Sequence, residues 1–169
     1  NGLAASPDRS LGLTGDADFT IVIVGQFVRG VAKPYENILM VGNPAAPRDP
    51  GKPLSVLIEF ETGKNQVDLA GGWAHDASMG PGSAQVLFDQ PNLLIITRRK
   101  GPWTSGTRFW LNGESSRQAW GRDPKGTAVV PDVQMRPEHG VALGSPQAWA
   151  GGFQGDLAEV IIFDRVLSD

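Results

Sequence analysis

The chain ends on a short apolar run, Val160-Ile161-Ile162-Phe163, entered through Gly152 and Gly155 and left through Asp164-Arg165. So short a run, β-branched and bounded by glycine, reads as a buried strand rather than a helix. Phe19-Thr20-Ile21-Val22-Ile23-Val24 has the same character: both of its faces are apolar, which places it inside a sheet. Leu93-Leu94-Ile95-Ile96-Thr97 repeats the signal, and no stretch sustains a 3.6-residue apolar period. Leu54 to Glu61 alternates instead, with Leu54, Val56, Ile58 and Phe60 inward and Ser55, Glu59 and Glu61 outward to solvent. Thr62-Gly63-Lys64-Asn65 turns the chain and Gln66 to Ala70 answers as a hairpin partner. With 22 Gly and 13 Pro spread along 169 residues, turns are frequent and strands short. The expected fold is an all-β, two-sheet antiparallel β-sandwich of jelly-roll type. Its last strand, Leu157 to Phe163, is expected at the centre of a sheet.

The remaining stretches are less regular. The first eighteen residues are mostly turn material, with Leu11 and Leu13 available for a short edge strand. Asn43 to Pro53 holds four prolines and reads as a loop, Gly71 to Ser83 as irregular, and Ser115 to Gly140 carries a strand signal only at Thr127 to Val130. The length fits one domain, 1–169, with a single sizeable core, and the abrupt ends suggest a domain excised from a longer protein. Net charge is −3 with both signs interleaved, so no basic stripe marks a nucleic-acid partner. There is no cysteine for a disulfide framework or a thiolate metal site. Cysteine absence does not fix the compartment, since a bacterial exported domain of this size can stand on its core alone. No apolar run reaches the roughly 18 residues of a membrane span.

Several phrases resemble one family. The closing Phe-x-Gly-x-Leu-x-Glu-Val-x-Ile-Phe-Asp-Arg-x-Leu-Ser pattern over 153–168 resembles the last strand of concanavalin A-like domains of the laminin G-like branch. "DFTIVIVGQF" from Asp18 resembles their early strand, and Asn37 to Gly42 the next one. Arg108-Phe109-Trp110-Leu111-Asn112-Gly113-Glu114 resembles their Asn-Gly hairpin, whose tight turn takes positive φ at both central residues. Val141-Ala142-Leu143-Gly144 corresponds to the strand before the last. The resemblance implies a concanavalin A-like jelly roll in an extracellular, cell-surface or periplasmic setting, often appended to other domains. Glucanases of that superfamily carry carboxylates at alternate positions of one strand. The nearest approach here is Glu59-Phe60-Glu61, which lacks the third acid and reads as two solvent-facing glutamates. His75 and His139 are too isolated for a transition-metal site, and Gly-x-Ser-x-Gly is absent. The chain therefore reads as a non-enzyme.

Calcium is the cofactor the resemblance implies, because relatives bind it through rim carboxylates and carbonyls. Asp16 and Asp18, at a strand start, are the candidate ligands, with turn formation as their alternative role. The pattern departs from the family at Ala158, which replaces an Asp, and at Ile161, where Arg is common. Tryptophan carries the stronger lead. Trp73, Trp103, Trp120 and Trp149 lie in Gly- or Pro-bearing loop phrases, and only Trp110 belongs to a strand. An indole face suits stacking on sugar C–H groups, although loop tryptophans also fold back as lids on the core. The expected function is a non-catalytic carbohydrate-binding, lectin-like module of a larger exported or surface protein, its partner a polysaccharide or glycan. A protein-interaction or architectural domain, with a protein surface as partner, is the alternative, and an atypical glycoside hydrolase a distant third.

Overall fold

A computed structural model describes residues 3–5, 17–29, 34–42, 55–63, 65–70, 76–79, 83–101, 106–115, 119–120, 140–144 and 151–168. The strands are β1 (Leu3–Ala5), β2 (Phe19–Phe27), β3 (Tyr35–Gly42), β4 (Ser55–Glu61), β5 (Gln66–Ala70), β6 (Asp76–Met79) and β7 (Pro91–Arg98), followed by β8 (Thr107–Leu111), β9 (Glu114–Ser115), β10 (Ala119–Trp120), β11 (Gly140–Leu143), β12 (Gly151–Gly152) and β13 (Gly155–Phe163). They form two sheets. The larger runs β1-β11-β3-β4-β5-β6-β10 with β12 also on β3, and the smaller runs β13-β2-β7-β8-β9. Named strands pair antiparallel except β12, which lies parallel to β3. Among the described residues no helix is long and apolar enough to cross a membrane.

The inward faces meet in one core. Phe19, Ile21, Ile23 and Phe27 of β2 pack with Leu94 and Ile96 of β7 and with Phe109 and Leu111 of β8. Ile58 and Phe60, Val67 and Leu69, and Ala77 and Met79 come from the facing sheet, at alternate positions of β4, β5 and β6. The Asn112-Gly113 turn between β8 and β9 takes φ of 54° and 86°, as an Asn-Gly hairpin requires. Thr20, buried on the outer face of β2, donates its hydroxyl to the Arg165 carbonyl at 2.9 Å and accepts the Leu167 amide at 3.0 Å. The tail beyond β13 is thereby fixed against the smaller sheet.

Three expectations need correction. The closing strand is not central: among the described strands β13 is the edge of the smaller sheet, and β2 occupies the interior between β13 and β7. Val160 and Ile162 are only partly buried and Ile161 is 36% exposed, because an edge strand has a neighbour on one side alone. Glu59 is not solvent-facing but 1% exposed, and Glu61 is half-buried, because the outer face of the larger sheet is itself shielded at its centre. The stretch read as irregular contains β6. Leu3–Ala5 forms a described N-terminal strand. Leu11, Leu13, 43–53 and 127–130 lie outside the described residues.

At one end of the sandwich the chain crosses from sheet to sheet in two residues. Gly151 and Gly152 pair with Glu36 and Asn37 of the larger sheet, and Gly155 already pairs with Phe27 of the smaller. Phe153, between them, stacks edge-on against Phe27 with centroids 5.1 Å apart, and Phe27 in turn meets Phe60 at 5.1 Å. Gln154 ties both sheets: its amide donates to Glu36 Oε2 at 2.7 Å, and its carbonyl accepts the Val28 amide at 3.1 Å.

Candidate functional site

Directly paired residues of antiparallel strands project to the same face with Cβ atoms about 4.5–5.5 Å apart. On the outer face of the larger sheet this builds two polar rows. Tyr35, Glu61 and Gln66 stand in register across β3, β4 and β5, and all three are half-buried. Gln66 Nε2 donates to Glu61 Oε2 at 3.3 Å, which holds the amide and the carboxylate side by side. The second row runs Asn37, Glu59, Asp68, Ser78 and reaches the backbone position of Trp120 in β10. Asn37 and Glu59 are 1% exposed and Asp68 7%. Thr62, in the turn beyond β4, fixes the margin by donating its amide and its hydroxyl to the Pro34 carbonyl, at 3.0 and 3.2 Å.

The sequence reaches this arrangement by simple alternation. Glu59-Phe60-Glu61 and Gln66-Val67-Asp68 each send an apolar residue to the core and two polar ones outward, and the hairpin register sets them against each other. Shielded carboxylates and amides on a face turned away from the core do not strengthen the fold as apolar residues would, since each loses hydration on folding. The smaller sheet contrasts with this face. Its outer row is Ile161, Val22, Ile95 and Trp110, with Leu93 beside it 40% exposed. Trp110 is half-buried on that face and contributes nothing to the polar rows.

Of the residues singled out from sequence, Trp120 alone is placed beside the polar face, by its backbone register with Ser78. Trp73, Trp103, Trp149 and Asp16 lie outside the described residues. Asp18 is exposed, and its Oδ1 accepts the Lys100 amide at 2.6 Å, so it pins the turn that follows β7. Among the described residues no three acidic or histidine side chains gather as a metal shell. Sequence reasoning passed over Tyr35, Gln66 and Asp68. The signal that identifies them is the hairpin itself, because a turn over 62–65 forces Glu61 opposite Gln66 and Glu59 opposite Asp68.

Glu36 sits on the inward side of the same end, in register with Phe60, and is 1% exposed. Burial pushes its carboxyl above the ordinary value of 4.5, and the hydrogen bond from the Gln154 amide opposes that shift without cancelling it. A carboxyl raised in the folded state holds its proton more tightly there than in the unfolded chain. The stabilisation is therefore present at low pH and is lost as pH rises from 4.5 through the folded value. Glu36→Gln, a neutral isostere, should flatten this part of the pH profile and melt at or above wild type at pH 7. Thermal melts of both proteins from pH 4 to pH 7.5 check it, and parallel profiles would show that Glu36 ionises without cost.

No protein-family model matches the sequence, and no curated protein does. Solved structures do resemble the fold. The CBM40 domain of the Ruminococcus gnavus IT-sialidase superposes with a TM-score of 0.61 at 16% identity, covering 90% of this chain and 78% of that one. The architecture is a two-sheet antiparallel β-sandwich that resembles concanavalin A-like, laminin G-like domains in fold. Domains LG4-5 of the mouse laminin α1 chain give 0.59 at 8% identity, over 97% of this chain and 39% of theirs. The NanB sialidase of Streptococcus pneumoniae gives 0.63 at 14% identity, and a Trypanosoma rangeli sialidase gives 0.54 at 13%. This chain spans 25% and 22% of those two sialidases, so in them the fold is one part of a longer protein.

Proposed function

We propose that this chain is a non-catalytic carbohydrate-binding module, the appended part of a longer exported or surface protein. The observation that carries the reading is the Tyr35–Glu61–Gln66 row, an aromatic ring, a carboxylate and an amide in register across three strands and half-open to solvent. A phenol ring offers a face to sugar C–H groups while its hydroxyl stays polar. Glu61 accepts from sugar hydroxyls and the Gln66 amide both donates and accepts, so adjacent hydroxyls of one ring find matched partners. Support comes from the fold likeness, since the R. gnavus CBM40 structure holds α2,3 sialyllactose. Glu59 and Asp68, the other carboxylates of the face, are shielded beneath it and serve as its polar floor rather than as an acid and a nucleophile.

Tyr35→Ala tests the reading. Retention on immobilised polysaccharides, or the intrinsic-fluorescence response to oligosaccharides, should weaken about five- to tenfold while the melting temperature changes little. Wild-type protein that responds to no polysaccharide in such a screen would favour a protein surface as partner. Release of reducing sugar from β-glucans would overturn the non-catalytic assignment.

A further inference from the structure

We propose that Asn112 is a latent deamidation site, held silent by its ties to β7, and that the aspartate or isoaspartate it would become no longer fits the turn. Asn112-Gly113 is the dipeptide of the tight turn between β8 and β9, and both residues are exposed. In any Asn-Gly sequence the glycine carries no side chain to crowd its backbone nitrogen. A Cβ built on Gly113 meets nothing within 4 Å, so the turn adds no shield of its own. The reaction needs only water. The Gly113 nitrogen, losing its proton, bonds to Asn112 Cγ, while the Cγ–Nδ2 bond breaks and Nδ2 leaves as ammonia. Water then opens the five-membered succinimide at either carbonyl, giving aspartate or isoaspartate. An amide and water become an acid and ammonia, and nothing is oxidised or reduced.

What opposes the first step is the hold on the carboxamide. Asn112 Oδ1 accepts the Leu93 amide at 2.9 Å, and Nδ2 donates to Asn92 Oδ1 at 3.1 Å. The Asn112 backbone amide donates to the Leu93 carbonyl at 2.9 Å, so backbone and side chain grip the same residue of β7. Swinging Cγ onto the Gly113 nitrogen draws Oδ1 off the Leu93 amide, and the departure of Nδ2 breaks the bond to Asn92. Asn92 is itself fixed. It is 2% exposed, its Nδ2 donates to the Leu87 and Gln90 carbonyls at 2.8 and 2.9 Å, and its Oδ1 also accepts the Leu87 amide at 2.9 Å. Backbone partners therefore set which atom of each carboxamide is the nitrogen.

The product is opposed as well. Both donors of Asn92 are committed to backbone carbonyls, so a carboxylate at 112 sets an oxygen against Asn92 Oδ1 with no proton between them. Asp-Gly suits the same turn type as Asn-Gly, so the loss lies in these ties and not in backbone preference. Isoaspartate goes further and adds a main-chain carbon to the turn. The deamidated fraction thus records how long the β8–β9 turn has spent open.

The test follows Asn112 by peptide mass spectrometry while the chain is incubated in mildly alkaline buffer. Native protein should deamidate there at least about tenfold more slowly than the same chain in concentrated urea, the effect expected of two net hydrogen bonds. Asn92→Ala, shown by its melt to be folded, should lose most of that protection. Asn112→Asp, the product made directly, should lower the melting temperature, whereas Glu114→Gln, an exposed change on β9, should not. In the Asn92→Ala background the cost of Asn112→Asp should shrink, because the facing acceptor is gone. The urea comparison and Asn112→Asp need no folded Asn92 variant. Equal rates in native and unfolded chains would overturn the protection. A folded Asn92→Ala protein that deamidates as slowly as wild type would overturn the ties as its cause. An Asn112→Asp protein that melts with wild type would overturn the misfit of the product.

Discussion

Gly155→Ala should be the most damaging alanine substitution among the described glycines, costing roughly 3 kcal/mol or more. Two effects act together. Gly155 has φ of 145°, a backbone conformation that side-chain-bearing residues rarely adopt, and a Cβ built there runs into the Gln26 carbonyl oxygen and comes within 3.1 Å of the Phe153 ring. Strain of that kind alone costs about 1–3 kcal/mol. The clash cannot be relieved by a side-chain rotation, because the obstructing atom is backbone of β2. Relief requires β13 to draw back from β2 at its first pair, Gly155 with Phe27, which loosens the two-residue crossing between the sheets. The control is Gly63→Ala, exposed, with nothing within 4 Å of the added methyl. It should stay within about 0.5 kcal/mol of wild type or stabilise slightly. Denaturant unfolding of the three proteins decides it, and equal midpoints for the two variants would show that the crossing tolerates a side chain.

How far the sequence reveals this molecule depends on which physical question is put to it. Phe19 to Val24 is apolar on both faces, and β2 does sit between two strands with its inward residues fully buried. Val160 to Phe163 is equally apolar, yet β13 is an edge among the described strands. Apolar content reports that both faces avoid water to some degree, not how many neighbours flank a strand. The distinguishing signs were the exposed charges Asp156 and Glu159 and the shift in register between Leu157 and Glu159, devices typical of a protected edge. The charges are legible in sequence, whereas a bulge depends on the partner strand. The strand Asp76 to Met79 contains no β-branched residue, so local propensity could not reveal it. It forms because β5 presents it with an open edge.

The candidate site was half legible for a related reason. Outward polar positions on β4 were visible as alternation, but solvent exposure was the wrong inference for Glu59, since alternation fixes a face and says nothing of what covers it. Pairing Glu59 with Asp68 and Glu61 with Gln66 required only the hairpin register. Extending the row to Tyr35 required knowing that β3 lies beside β4, and a chain separation of more than twenty residues hides that from local pattern.

Phe27→Ala should cost about 3–5 kcal/mol and lower the melting temperature by roughly 10 °C. Phe27 is 1% exposed and holds the middle of an aromatic chain at the crossing end, meeting Phe60 at 66° and Phe153 at 87°, each with centroids 5.1 Å apart. Phe60 continues to Phe88 at 6.0 Å, over which the Arg29 guanidinium lies 4.4 Å from the ring centre. Removing the central ring takes its transfer energy, leaves a cavity bounded by both sheets, and deletes two edge-to-face contacts worth about 0.5–1.5 kcal/mol each. Neighbouring rings cannot collapse freely into the space. The backbone of Phe27 is held by pairing with Gly155 and by the Asp89 amide, which donates to its carbonyl at 2.9 Å. Phe27→Leu, which refills much of the volume without the ring, should recover more than half of the loss. Because Phe27 and Gly155 are directly paired, their effects should not add: the double variant Phe27→Ala, Gly155→Ala should lose less than the sum of the singles, as room opened at Phe27 lets β2 yield. Strict additivity in that cycle would mean that the aromatic chain and the crossing stabilise the sandwich end independently.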